Sequence, residues 1–189
     1  MGRLISSIRL SDIFLSITGI VLLSPLIFLV LSMCALQYGN PIFRQLRVGK
    51  DGKYFYLFKF RTMPISTPSV LTHSLDLSEL PMVSKFLRRS KLDEIPQLYN
   101  VLRGEMSLVG PRPGLISDVE LIERRKQLGV LRILPGCTGI AQIKGVSMQQ
   151  PEQIVLLDSQ LKESLDIRFY FKILISTFKT LFRHPENFF

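Results

Sequence analysis

Histidine and cysteine are nearly missing: the 189 residues hold two of each. Cys34 lies in an apolar segment and Cys137 in a glycine-rich loop, neither with a partner at metal-ligand spacing. That excludes a zinc site built on cysteines and fits a reducing compartment. His73 and His184 have no companion at catalytic or ligand spacing either, and are read as structural or solvated. Acidic residues are few, 15 against 24 Lys and Arg, for a net charge of +9. No recognisable nucleic-acid module accompanies this excess, and the aromatic residues sit among aliphatic ones instead of forming a polar stacking stripe, so nucleic acid is set aside as a partner. There is no internal repeat and no low-complexity tail. Gly49-Lys50 has the wrong glycine spacing for a phosphate loop, and no helix pattern follows it.

What the chain does have is apolar surface. Hydrophobic residues make up 47% of it and the mean hydropathy is +0.27. Joined to a strong positive charge, that composition points to a membrane surface. The length allows one domain with a real core. From Ile13 to Ala35 no residue is charged. As one straight helix this run would reach roughly 34 Å, enough to span the hydrocarbon core. The run is too long for a secretory signal, and no small-residue cleavage site follows it. Ser24-Pro25 sits in its middle and predicts a break, with the Ser24 hydroxyl able to satisfy a carbonyl that the proline frees. Arg3 and Arg9 precede the run while Arg44, Arg47, Lys50 and Lys53 follow it, which draws both ends to the cytoplasm. Charge alone leaves a single crossing and a re-entrant hairpin both open.

Near the C-terminus, Arg168, Lys172, Ser176, Lys179 and Arg183 recur at helical steps among Phe, Ile and Leu. They form a narrow cationic stripe on an otherwise apolar helix, as expected of an element lying in the membrane interface; a core helix with one solvated edge is the alternative.

Between these ends, residues 42–62 read as two strands joined by a turn at Lys50-Asp51-Gly52. Met63 to Pro81 reads as a surface loop. In KLDEIPQLYNVLRGEMSLVGPRP, residues 91–113, Pro96 is tolerated only in a first turn, which predicts a helix with Asp93 as N-cap. Ile95, Leu98, Tyr99 and Leu102 would face a core, and Gly104 would close the helix. Two prolines then hold Arg112 in stiff, extended backbone. A helix is expected over Leu115 to Gln127, tight turns near a ligand-facing surface in LPGCTGIAQIKG, and a final helical region from Pro151-Glu152.

The adjacent acids Asp93 and Glu94 have a plain structural explanation, a cap and a dipole-favouring first turn. Their company calls for more: Lys59, Arg61, Arg88, Arg89 and Arg112 exceed what one cap requires, and an anionic, phosphate-bearing substrate would account for them. Two neighbouring carboxylates in a basic phosphate site suit one chemistry well. One attacks phosphorus to form an acyl phosphate while the other holds a divalent metal, for which magnesium is the natural choice.

At this point the residues resemble a known family. FRQLRVGKDGKYFYLFKFRTM, KLDEIPQLYNVLRGEMSLVGPRP and PGCTGIAQIKG are similar to the bacterial sugar transferases, small monotopic phosphoglycosyl transferases that start glycan assembly. The resemblance runs from the hydrophobic segment to about position 160. It implies transfer of a phosphosugar from a UDP-sugar to polyprenyl (undecaprenyl) phosphate with release of UMP. Asp93 would be the nucleophile and Glu94 the acid associated with Mg2+. Lys59, Arg61, Arg88 and Arg112 would contact phosphates, with Asp158 at the border of the sugar-nucleotide region. Ser24-Pro25 would break a re-entrant hairpin over residues 1–40, carrying a catalytic domain over 41–189 at the cytoplasmic face of a bacterial inner membrane. The expected fold is α/β, membrane-embedded and monotopic, with a short irregular sheet and interfacial amphipathic helices. Membrane lipid is a further implied partner, and downstream glycosyltransferases and a second copy of the chain are admitted. The sequence departs from the family pattern at Leu161, where a Tyr is usual, and at Tyr170, where an Asp is common. From other classes, a non-catalytic scaffold binding acidic lipids and a phosphohydrolase remain as alternative readings.

Overall fold

The computed structural model describes residues 2–65, 80–146 and 150–183, and the architecture is mixed α/β. Helix α1 (Gly2–Leu22) and helix α2 (Ser24–Tyr38) are parted at Leu23, where the path bends by 67°. The cause is local. Pro25 lacks an N–H, so the Val21 carbonyl loses its helical partner, and Ser24 Oγ donates to it instead at 2.8 Å. No single described helix is long and apolar enough to cross a membrane; the bent pair passes that test together by length and composition.

Both helices pack into the rest of the molecule. Arg9 Nη1 and Nη2 donate to Val101 O and Leu102 O at 2.6 and 2.8 Å, capping the carbonyl end of helix α4 (Gln97–Arg103). On α2, Val30 and Cys34 are buried against Phe60 and Leu87.

Strands β1 (Ile42–Val48) and β2 (Tyr54–Phe60) form an antiparallel hairpin in which Gln45 opposes Leu57. Its turn is the expected one, a 3-10 turn over Lys50–Gly52 with Asp51 at φ 55 and Gly52 at φ 74. Helix α3 (Met82–Arg89) follows. It went unread in the sequence, because only Ser84 and Leu87 of its eight residues are buried. Strand β3 (Ser107–Val109) runs parallel to β5 (Gly136–Thr138), while the two-residue β4 (Gly114–Leu115) pairs with β1. Helices α5 (Val119–Gln127), α6 (Ile140–Ile143), α7 (Pro151–Ser164) and α8 (Ile167–Arg183) complete the described residues.

Three expectations are corrected. Asp93 is not an N-cap: it sits in a separate 3-10 turn, Leu92–Glu94, entered through Lys91 at φ 57, and α4 begins only after Pro96. Tyr99 is 51% exposed, stacked edge-on against Phe58 instead of facing the core. The helix predicted from Leu115 starts at Val119, because Gly114 and Leu115 are taken up by pairing with Val48 and Arg47. His73, His184 and most of the predicted loop over Met63 to Pro81 lie outside the described residues.

The glycines of LPGCTGIAQIKG serve close approach more than turns. A Cβ on Gly136 would lie 2.0 Å from Gly110 N, and one on Gly110 would lie 2.4 Å from Leu134 O, so β3 and β5 meet backbone to backbone. Around them, Val109, Leu161, Tyr170 and Ile173 form a buried cluster. Leu161 is thus a core residue, its full burial stabilising by about 2 kcal/mol. Tyr170 lies inside α8, whose first turn is capped by Asp166 Oδ1 accepting Phe169 N at 2.7 Å. The Tyr170 hydroxyl donates to Asp12 Oδ1 at 2.8 Å.

Candidate active site

Strand β2 delivers Lys59, the turn after α3 delivers Asp93 and Glu94, and the loop after β3 delivers Arg112. Lys59 is held in register by Asn100. Asn100 Oδ1 accepts Phe58 N at 3.1 Å and its Nδ2 donates to Tyr56 O at 2.7 Å, so a buried amide stands in for a neighbouring strand on either side of Leu57, just ahead of Lys59. Nothing in the helical pattern marked Asn100 for this task, although it lies within the motif that carries the acids.

Glu94 and Asp93 differ sharply. Glu94 Oε1 accepts Lys59 Nζ at 2.6 Å and Arg112 Nη2 at 3.3 Å. Burial alone would raise the Glu94 carboxyl, but Lys59, Arg112 and Lys91 outweigh it and hold the acid well below the usual carboxylate range. Asp93 is 7% exposed, and its Oδ1 is buried with no hydrogen-bond partner. Burial pushes its carboxyl up to about 6; the charge of Glu94 adds to this, and Lys59, Lys91 and Arg88 oppose it. One carboxylate is therefore neutralised by direct pairing, and its neighbour is a desolvated anion surrounded by cations it does not bond. A desolvated, unsatisfied oxygen is the form in which a carboxylate is most nucleophilic.

Of the other bases, Arg88 faces the pair: it acts on Asp93 electrostatically, reaches Thr62 Oγ1 only at 3.5 Å, and keeps its buried Nε without a partner. Arg89 is exposed. Arg61 is not brought to the pair. Its Nε and Nη2 donate to Asn40 O and Ile42 O at 2.7 and 3.2 Å, tying the end of α2 to β1. Asp158 is not brought there either. It is 1% exposed, and its Oδ2 accepts Arg125 Nε and Nη2 at 3.0 and 2.7 Å.

Among the described residues, no three His, Cys, Asp or Glu side chains converge as a metal site. The protein offers two adjacent carboxylates, one with an orphaned buried oxygen. That donor set fits magnesium in its usual mode, in which substrate phosphates and water complete the shell.

The sequence model of the family "Bacterial sugar transferase" matches residues 4–184. The chain belongs to the bacterial sugar transferase family. Within that family, a UDP-glucose:undecaprenyl-phosphate glucose-1-phosphate transferase of Klebsiella pneumoniae is 40% identical over 142 residues, covering 72% of this chain and 30% of its own. A UDP-galactose-lipid carrier transferase of Erwinia amylovora is 34% identical over 168 residues, covering 80% and 35%. The exopolysaccharide production protein ExoY of Rhizobium meliloti is 31% identical over 191 residues, covering 92% and 83%. The chain thus spans about a third of the first two transferases and most of the third.

Proposed function

We propose that this chain transfers a phosphosugar from a UDP-sugar to polyprenyl phosphate, releasing UMP, through a covalent intermediate on Asp93. The observation that carries the proposal is the contrast within the acid pair: Glu94 is bound by two cations while Asp93 Oδ1 is buried and unbonded. In the first half-reaction an Asp93 carboxylate oxygen bonds to the β-phosphorus. The bond from that phosphorus to the bridging oxygen breaks, and UMP leaves with the electron pair. In the second, an oxygen of the lipid phosphate bonds to the same phosphorus, and the carboxylate of Asp93 is restored. Neither step requires a net proton transfer.

Lys59, Arg88 and Arg112 would hold the phosphate oxygens and offset charge developing on the leaving UMP. Glu94, with Asp93 beside it, would hold magnesium. When bound, the ion supplies neutralisation of the diphosphate. Names of relatives support a UDP-hexose as donor and undecaprenyl phosphate as acceptor.

The same reading places the protein monotopically at the cytoplasmic face of the membrane. The bent α1–α2 pair exposes Phe14, Val21, Phe28 and Leu36, an apolar surface that lipid would cover. Met82 and Phe86 on α3, and Phe171, Ile175 and Phe178 on α8, are exposed as well. On α8 they lie beside exposed Arg168, Lys172 and Lys179, which suits a helix at the headgroup level.

Incubating the membrane-extracted protein with a panel of UDP-sugars tests the chemistry. One equivalent of UMP should appear before any lipid is added, chelation should prevent it, and Asp93→Asn should abolish it while membrane association persists. UMP that appears only after lipid addition would overturn the covalent route. For topology, cysteines placed at Ser7 and Asn40 should both label from the cytoplasmic side; labelling from opposite sides would establish a crossing.

A further inference from the structure

Pro111-Arg112-Pro113 poses a backbone problem. The two prolines have no N–H, so the segment can neither join a ladder nor brace itself. Yet each of its three carbonyls is held, and each by a different element. Pro111 O accepts Gly136 N at 2.8 Å. Arg112 O accepts Arg125 Nη1 at 2.8 Å, and Pro113 O accepts Arg47 Nη1 at 3.1 Å.

The two guanidiniums are used alike. Arg125 sends Nε and Nη2 to Asp158 Oδ2, and Arg47 sends Nε and Nη2 to Gln45 Oε1 at 3.1 and 2.6 Å. In both, the fork is locked on one side-chain oxygen and the remaining nitrogen reaches a loop carbonyl. The Arg125–Asp158 pair is buried, its side chains 3% and 1% exposed. A buried ion pair is seldom worth more than apolar residues of the same volume, so core stability alone does not account for it. What lies between the two forks is Arg112, whose Nη2 reaches Glu94 Oε1 at 3.3 Å.

We propose that Arg47 and Arg125 are positioning residues that clamp the carbonyls at and after Arg112, fixing how far its guanidinium reaches toward Glu94 and the substrate phosphate. Asp158 and Gln45 orient the two clamps. Asp158 then acts through Arg125 and the Arg112 backbone, not by touching the sugar nucleotide. The role in phosphate binding rests on the function proposed above; the clamp itself does not.

The decisive variant removes both buried charges together, Arg125→Met with Asp158→Leu, since paired apolar replacement preserves such cores. With the full chain in detergent or nanodiscs, three quantities are read: melting temperature, UMP release, and hydrogen exchange of peptides covering residues 107–115. The expected result is an unchanged melting temperature, faster exchange in 110–115, and UMP release slowed about 10- to 100-fold, the usual effect of removing an outer support. Combined with Arg112→Ala, the pair should cost nothing further. Arg47→Lys, half-buried near the turn end of β1, keeps the charge but loses the fork, and should give the same signature should the double variant fail to fold.

A folded variant with wild-type turnover and wild-type exchange would overturn the proposal, as would a loss that simply multiplies that of Arg112→Ala. If the wild type releases no UMP from any UDP-sugar, the transferase reading fails instead. The exchange of 110–115 still decides the clamp.

Discussion

Lys59 Nζ lies 2.6 Å from Glu94 Oε1 across 35 residues of sequence, and Arg112 Nη2 meets the same oxygen at 3.3 Å. Lys59 and Glu94 are each less than a fifth exposed, so neither charge is well solvated. Lys59→Met should destabilise the fold by about 1–3 kcal/mol, because Glu94 loses its shortest ion pair and keeps the longer one to Arg112. Lys59→Met with Glu94→Gln should recover most of that loss without recovering activity. Denaturant unfolding of both variants checks this; equal stability of Lys59→Met and wild type would mean that the pair contributes nothing.

Asp93 carries a pH prediction. Its carboxyl is pushed up to about 6, and attack on phosphorus requires the anion. The rate of UMP release should therefore hold steady above neutrality and fall with one-proton slope as pH drops through that region. For stability the sign is opposite to that of an ordinary paired acid. The folded state holds the proton more tightly than the unfolded chain, so Asp93 weakens the fold increasingly as pH rises from about 4 toward 6. Asp93→Asn should thus be more stable than wild type at neutral pH, by on the order of 1–3 kcal/mol, and the gain should vanish in acid. Melting curves of the two proteins across that pH range supply the comparison.

A second buried acid joins helix α1 to the site. Asp12 on α1 accepts Ser107 Oγ at 3.1 Å, Leu108 N at 2.8 Å and Tyr170 OH at 2.8 Å, all on one oxygen. Leu108 lies in the strand that leads into the Arg112 loop. Tyr170→Phe removes one donor of three and should cost about 1–2 kcal/mol; Asp12→Ala strands all three and should cost about 3–5 kcal/mol. If thermal unfolding finds Tyr170→Phe neutral, that hydrogen bond does not operate.

Glycine substitutions should separate close approach from mere conformational freedom. Gly136→Ala places a methyl group 2.0 Å from a backbone nitrogen and should prevent folding, at more than about 4 kcal/mol. Gly39→Ala meets nothing within 4 Å and suffers only from φ 74, so about 1 kcal/mol is expected. Expression and melting temperature distinguish the two at once.

Much of this was legible in the sequence because it is local. Ser24-Pro25 announces a helix break, Lys50-Asp51-Gly52 a turn, and adjacent acids among many bases a cluster of opposite charges. Local rules misled where tertiary demand overrode them. Asp93 has the residue type and spacing of a cap, but Lys91 in the left-handed region starts a separate turn and leaves the carboxylate unbonded. Leu115 continues a helical pattern, yet β1 claims it. Arg47, Asn100, Arg125 and Asp12 were not legible as parts of the site, because the contacts that tie them to it span between 13 and 158 residues. A sequence scan registers them only as hairpin bases, a helix interior, a basic helix face and a flank of an apolar run. Arg61 was assigned to phosphate from the company it keeps, and Asp158 to the sugar-nucleotide region by resemblance; their nearest acceptors and donors are the chain's own.

The most direct measurement is the intact mass of the protein, acid-quenched after incubation with its UDP-sugar in the absence of lipid. A mass increase of one phosphosugar, located to the peptide containing Asp93 and absent from Asp93→Asn, is the predicted result. An unmodified protein under conditions where lipid-linked product forms readily would contradict it.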